Sequence, residues 1–178
     1  MKWLKGLFVG VVLSFVTLCT IANLDTGYSG AKDLERHFLE NEEKYREAAE
    51  VLSDIAQRAD IPERYGWVLS IDRYDMSSME EAFAEQVGSL YFNTYTSYAP
   101  YSQEEYTKMY DAVVELFSSE DVYAIAVGAE QIKFYNDEDY GVIYNIIYAE
   151  DETKIYVPME LREQLEICDG WYAVVSSD

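Results

Sequence analysis

The stretch that most limits the fold is Gly141 to Ala149. Val142, Tyr144, Ile146 and Tyr148 alternate there with Ile143, Ile147 and Ala149, so both sets of positions are apolar or aromatic. Successive side chains of a strand point to opposite faces. A strand of this kind belongs in the centre of a sheet, with helices covering one face. The neighbouring sequence keeps the same period, with β-rich runs at Val122–Val127, Gln131–Tyr135, Ile155–Val157 and Trp171–Val175. Short polar segments at 128–130, 136–140 and 150–153 separate them, which is the spacing of an antiparallel meander. Pro158 suits the first position of a short helix through Met159 to Leu165, and Asp169-Gly170 turns the chain into a final strand.

Helical periodicity governs the part before this. From Lys32 to Ala59 there is neither Gly nor Pro, and Leu34, Phe38, Asn41, Tyr45, Ala48, Leu52, Ile55 and Ala59 recur at steps of four and three. That is a heptad seam, about 40 Å long at ~1.5 Å per residue. Leu34, Phe38, Asn41, Tyr45, Leu52 and Ile55 are its candidate self-association residues in a homodimer, with Asn41 fixing register. Leu39, Ala49, Val51 and Ala56 widen the stripe toward an ordinary packing face. His37, between Arg36 and Phe38, reads as solvated and receives no role.

Asp60-Ile61-Pro62 ends this helix. Tyr65 to Arg73 is a candidate strand. Ser77 or Ser78, with Glu80 or Glu81 three residues on, opens a helix through Phe83, Val87 and Leu90 or Tyr91. A second capping box, Ser102 with Glu105, opens another whose inner face is Tyr106, Met109, Val113, Leu116 and Phe117. The expected class is α+β: an N-terminal membrane helix, a long helix plus two further helices, then a four- to five-stranded antiparallel sheet.

The membrane helix is read from Trp3 to Leu24. No charged residue lies between Gly6 and Ala22, Lys2 and Lys5 precede the run, and Asp25 follows it. Cationic flanks stay on the cytoplasmic side, so the expectation is a single-pass membrane protein with its C-terminal domain outside the cytoplasm. Thr20-Ile21-Ala22 also supplies a cleavage site for a signal peptide, which gives a secreted protein as the alternative. Lipidation at Cys19 is a third route, with Leu18 where bacterial lipoprotein signals carry a small residue. The chain divides into residues 1–24 as signal anchor or signal peptide, 25–30 as hinge, and 31–178 as one soluble domain.

The 178 residues include 13 basic and 34 acidic ones; setting Lys2 and Lys5 aside leaves 11 against 34, a formal charge of −23. A field of that sign repels phosphates, so nucleic acid is excluded as a partner. Cys168 is alone outside the first 24 residues, so no intrachain disulfide forms there, and its setting in Leu165-Glu166-Ile167 is that of a small buried apolar group. The acidic run Asn136-Asp137-Glu138-Asp139-Tyr140-Gly141 fails as an EF-hand calcium loop, because Tyr140 and Ile147 fall where oxygen ligands are required; a solvated hairpin turn explains it, with a calcium site of another type as the alternative. Among so many carboxylates no catalytic pair stands out. No catalytic residue, cofactor or metal ligand is assigned. Tyrosine is abundant, at 17 residues, and exposed tyrosines make low-entropy contact surfaces. Tyr95, Tyr98 and Tyr101 flank the turn at Pro100 and are the candidate contact surface.

A membrane helix, a long helix and then an antiparallel sheet resembles the layout of type IV pilins and pseudopilins, and Lys5-Gly6 before Leu7-Phe8 resembles their processing site. That resemblance implies a filament subunit. Val11 stands where those proteins carry Glu, and Asp25 to Gly30 interrupts what would be their continuous helix. The element order also resembles the cystatin-like and NTF2-like cone folds, without a motif, and implies nothing about chemistry. The functional expectation is a non-catalytic extracytoplasmic binding module whose partner is a protein or cell-envelope component. A structural or assembly subunit is the alternative, and a small hydrolase ranks below both.

Overall fold

Among the described residues, eight strands build one antiparallel sheet in the order β2-β3-β1-β4-β5-β6-β8-β7. The computed structural model describes residues 27–58, 66–70, 84–87, 90–94, 103–119 and 122–177, with 84–94 given by their backbone. The strands are β1 (Trp67–Ser70), β2 (Ala84–Val87), β3 (Leu90–Thr94), β4 (Ala124–Val127), β5 (Gln131–Asp139), β6 (Val142–Ala149), β7 (Glu160–Cys168) and β8 (Trp171–Ser177). Three helices, α1 (Ala31–Glu40), α2 (Glu42–Arg58) and α3 (Gln103–Ser118), complete the α+β fold.

The strand read as central is central. β6 pairs with β5 on one side and β8 on the other, and Ile146 and Ile147, which point to opposite faces, are both fully buried. One face packs on the helices. Leu34 and Phe38 of α1 and Tyr45, Leu52 and Ile55 of α2 join Phe134, Ile146, Trp171 and Ala173 in the main core. Met109, Val113, Leu116 and Phe117 of α3 enter the same core, as their spacing predicts. Rings dominate the centre: Trp171 lies 4.7 Å from Phe38 and 6.0 Å from Phe134 between centroids, and Tyr45 meets Phe134 edge-on at 5.0 Å. Such pairs add about 0.5–1.5 kcal/mol each beyond the area they bury.

Several sequence expectations are corrected. The helix expected across Phe83 to Tyr91 is a hairpin, with Val87 opposite Leu90 and Ala84 opposite Asn93. Gly88-Ser89 between two short runs is the composition of a two-residue hairpin loop, and the helical spacing of the apolar residues was coincidental. The helix expected after Pro158 is strand β7, paired with β8 from Glu160 to Cys168. Its local preference for helix yields to pairing with a strand buried along its whole length. Ile155–Val157, expected as a strand, is instead part of a strap that follows a 3₁₀ turn at Glu152–Lys154. The sheet therefore exceeds the expected four or five strands.

The long helix is also divided. Asn41 closes α1 by donating its backbone N–H to Phe38 O and its Nδ2 to His37 O, while its own carbonyl accepts from Lys44 and Tyr45 and starts α2. A short amide side chain that satisfies backbone groups at a helix end favours this break over a continuous helix. Ala59 lies outside the described residues. So do the expected membrane segment, residues 3–24, and the candidate surface Tyr95, Tyr98 and Tyr101. Among the described residues no helix is long and apolar enough to cross a membrane.

The strap, residues 150–159, crosses the face of the sheet opposite the helices. Ile155 and Val157 cover Ile147, Ala149, Tyr172 and Val174. It is pinned by an ion pair between Lys154 and Glu130 and by Gln164, which donates to Glu152. At the sheet's edge, β7 carries two irregularities, after Leu161 and after Glu166.

Candidate functional site

The proposed seam does not face outward. Leu34, Phe38, Tyr45, Leu52 and Ile55 are at most 2 % exposed, and the chain's own sheet is what covers them. The 3.6-residue stripe was real, but its counterpart is the chain's own sheet together with α3, so in this fold those residues offer nothing to a second copy. Asn41 sits in the break between α1 and α2 and not in a seam. His37 is half-buried, not solvated: its Nε2 lies 3.2 Å from the Tyr45 hydroxyl and its ring meets Tyr28 edge-on at 5.6 Å. Asn136 Nδ2 donates to the Tyr45 hydroxyl and Asn136 Oδ1 accepts from the Ile146 N–H. The bulge between Tyr135 and Asp137 turns Asn136 into the core, which removes the first residue of the acidic run from any loop. Among the described residues no group of three or more His, Cys, Asp or Glu could hold a metal ion.

Two surfaces remain on which chemistry could act. The first is the strap-covered face. Lys133, 2 % exposed, lies on β5 between Ala126 of β4 and Ile147 of β6. Its Nζ donates to Tyr156 O at 3.0 Å and lies 5.7 Å from the Tyr135 ring centroid. Burial lowers its pKa from the ordinary 10.5 to about 8. Gln131, one step along the same face, accepts the Tyr156 N–H at 2.9 Å. Both polar groups of the Tyr156 backbone are thus bound by side chains of β5 and not by a neighbouring strand. Asn145 Oδ1 and Gln131 Nε2 are buried without a hydrogen-bond partner. Nothing in the Gln131-Ile132-Lys133-Phe134 alternation announces a buried lysine. The available clue was β6 itself, apolar on both faces, because a cover over Ile147 must also reach its cross-strand neighbour.

The second surface is the outside of the elbow between α1 and α2. A shallow recess there is bordered by Leu39, Glu40, Glu43, Lys44, Glu47 and Glu50. Leu39 is 55 % exposed. Glu42 is held by Arg46 at 2.7 Å, whereas Glu40, Glu43, Glu47 and Glu50 form no ion pair among the described residues. Arg46 also reaches Cys168, Nη2 to Sγ 3.4 Å, and lies 6.0 Å from the Trp171 ring. Burial raises the Cys168 pKa, with Arg46 opposing in part. The thiol therefore stays protonated at neutral pH and is a poor nucleophile.

Compared with protein-family models, curated proteins and solved structures, the chain matches none.

Proposed function

We propose that this chain is a non-catalytic binding module, held at the outer side of a membrane through residues 3–24, whose contact surface for a cationic protein or cell-envelope component is the α1–α2 elbow. The observation that carries the reading is Leu39, a large apolar side chain left half-exposed in a mainly acidic recess, where Glu40, Glu43, Glu47 and Glu50 form no ion pair among the described residues and Lys44 and Arg46 are the cations. Scattered exposed leucines need no explanation, but an apolar centre with a charged rim is the usual composition of a contact patch. A rim whose charge is mainly of one sign also speeds encounter with a partner of the other and makes association salt-dependent. A secreted form, after loss of the first residues, would use the same surface. Burial of Leu34, Phe38, Tyr45, Leu52 and Ile55 speaks against the helix-mediated form of the assembly-subunit alternative.

The reading is tested by placing a photo-crosslinking residue at Leu39 in the full chain, in its own membrane. A discrete adduct is expected that weakens with added salt and disappears when Glu43, Glu47 and Glu50 are changed together to Lys. Absence of any adduct, or one indifferent to those changes, would refute it.

A further inference from the structure

On the reading that residues 3–24 lie in a membrane, we infer that the β5–β6 hairpin tip stands on the lipid surface, with Tyr140 and Leu161 as its contact with zwitterionic headgroups. The argument begins with tether length. Two residues, Asp25 and Thr26, lie between Leu24 and Gly27, and three residue steps of a fully extended chain cover at most about 3.6 Å each, so Gly27 lies within roughly 11 Å of the end of the membrane segment. Gly27 is itself fixed on the body. A methyl added to it would lie 3.6 Å from Asp137 Oδ2. Tyr28 packs on Tyr144 at 5.9 Å and on His37. Ser29 N–H donates to Asp33 Oδ2 at 3.0 Å and Ala31 N–H to Glu163 Oε2 at 2.9 Å. Residues 27–30 are docked, so the end of the sheet at Asp137 must face the membrane.

What that end displays fits a lipid surface. Asp139 pairs with Val142, Val142 with Ser177, and Ser177 with Glu160, so the hairpin tip and the start of β7 share one end of the sheet. Two strand spacings, about 10 Å, separate them laterally. Tyr140 is 99 % exposed and Leu161 50 % exposed, and with Leu39 they are the exposed large hydrophobic residues among those described. Two of the three thus lie where the tether enters. Tyr140 also has φ +48°, in the left-handed region that costs a tyrosine stability and that Asn or Gly would fill more readily. A costly aromatic left this exposed suits the headgroup layer, where Tyr sits with its ring in apolar surroundings and its hydroxyl wet. Asp137, Glu138 and Asp139 beside it disfavour anionic lipid and accept the ammonium of zwitterionic headgroups.

The test uses the full chain with Cys19→Ser and Cys168→Ser, labelled with an environment-sensitive fluorophore at Glu138→Cys beside the tip or at Glu150→Cys at the opposite end of β6. It is reconstituted in phosphatidylcholine vesicles carrying a headgroup quencher. Quenching at 138 is expected to be several-fold stronger than at 150, to fall when Tyr140→Ser and Leu161→Ser are added, and to weaken when phosphatidylglycerol replaces part of the lipid. Equal quenching at 138 and 150, or no response to the double substitution, overturns the inference while retention through a carbonate wash leaves the membrane reading standing. Release by that wash overturns both.

Discussion

The two faces of the sheet are closed by different means. Toward the helices, Trp171, Phe134, Phe38 and Tyr45 fill the space with rings, and the Tyr45–Asn136 pair is a small polar inclusion among them. Toward the strap, Ile147, Ala149, Tyr172 and Val174 share the face with Lys133, Gln131 and Asn145. The first face depends on volume, because its cover is regular helices whose backbone groups, the Ala31 N–H on Glu163 apart, are met within the helices. The second depends on polar pairing, because a strap without a ladder must have its peptide groups met by side chains. A buried lysine is tolerable only in that second setting, since its ammonium replaces the missing backbone donor.

Two residues of β8 on opposite faces, Trp171 and Val174, separate the two most sharply. Trp171→Ala should lower unfolding free energy by about 3–5 kcal/mol and Val174→Ala by about 2 kcal/mol, judged from core truncations generally. Equal losses by urea titration would show that the faces do not differ in this way. Next in size is a pH effect confined to the strap side. Lys133 is neutral in the fold above about pH 8 but protonated in the unfolded chain up to 10.5, so the unfolded state binds the extra proton across that window. Stability should therefore rise by at most about 3 kcal/mol between those pH values, and be flat in this respect below pH 8. Tyr144 and Tyr172, whose pKa values burial raises above the ordinary 10.0, oppose the climb above pH 10. Their contribution is common to wild type and Lys133→Met, so the difference between the two melts isolates Lys133; parallel profiles would remove the lysine from the account.

On the helix side, Tyr45→Phe deprives Asn136 Nδ2 of a buried acceptor and should cost about 1–2 kcal/mol, again by urea titration. A neutral result would mean that ring packing alone holds that face. The smallest effect lies at the tip, which belongs to neither face. Tyr140→Asn should stabilise by roughly 0.5–1 kcal/mol through relief of the left-handed backbone, and a loss there would indicate an intrachain contact for the tyrosine.

These contrasts explain what could be read in advance. Two-sided burial of β6 was legible because every residue from Val142 to Ala149 except Asn145 is apolar or aromatic, and no exposed strand tolerates that. The inward face of α1 and α2 was equally legible, but not what it meets: a stripe of Leu34, Phe38, Tyr45 and Leu52 is the same whether the opposite surface is a sheet or another helix. β2 and β3 were hidden because their apolar residues satisfy both periods over so short a span. β7 was hidden because Met159, Glu160, Leu161 and Glu163 prefer helix, and only β8 overrides them. At the candidate sites, the exposure of Leu39 and the burial of Lys133 follow from the elbow and the strap, neither of which has a signature in the sequence.

An open sheet has ends at which another chain could continue it. At β7 the two irregularities leave Glu163 to Glu166 as the regular stretch between them, about 13 Å at ~3.3 Å per residue, and two of those four side chains are carboxylates. An incoming segment would find too little straight template to extend, and would bring its own backbone against like charge if it came from a second molecule. That border works as a guard against fibril growth at high local density.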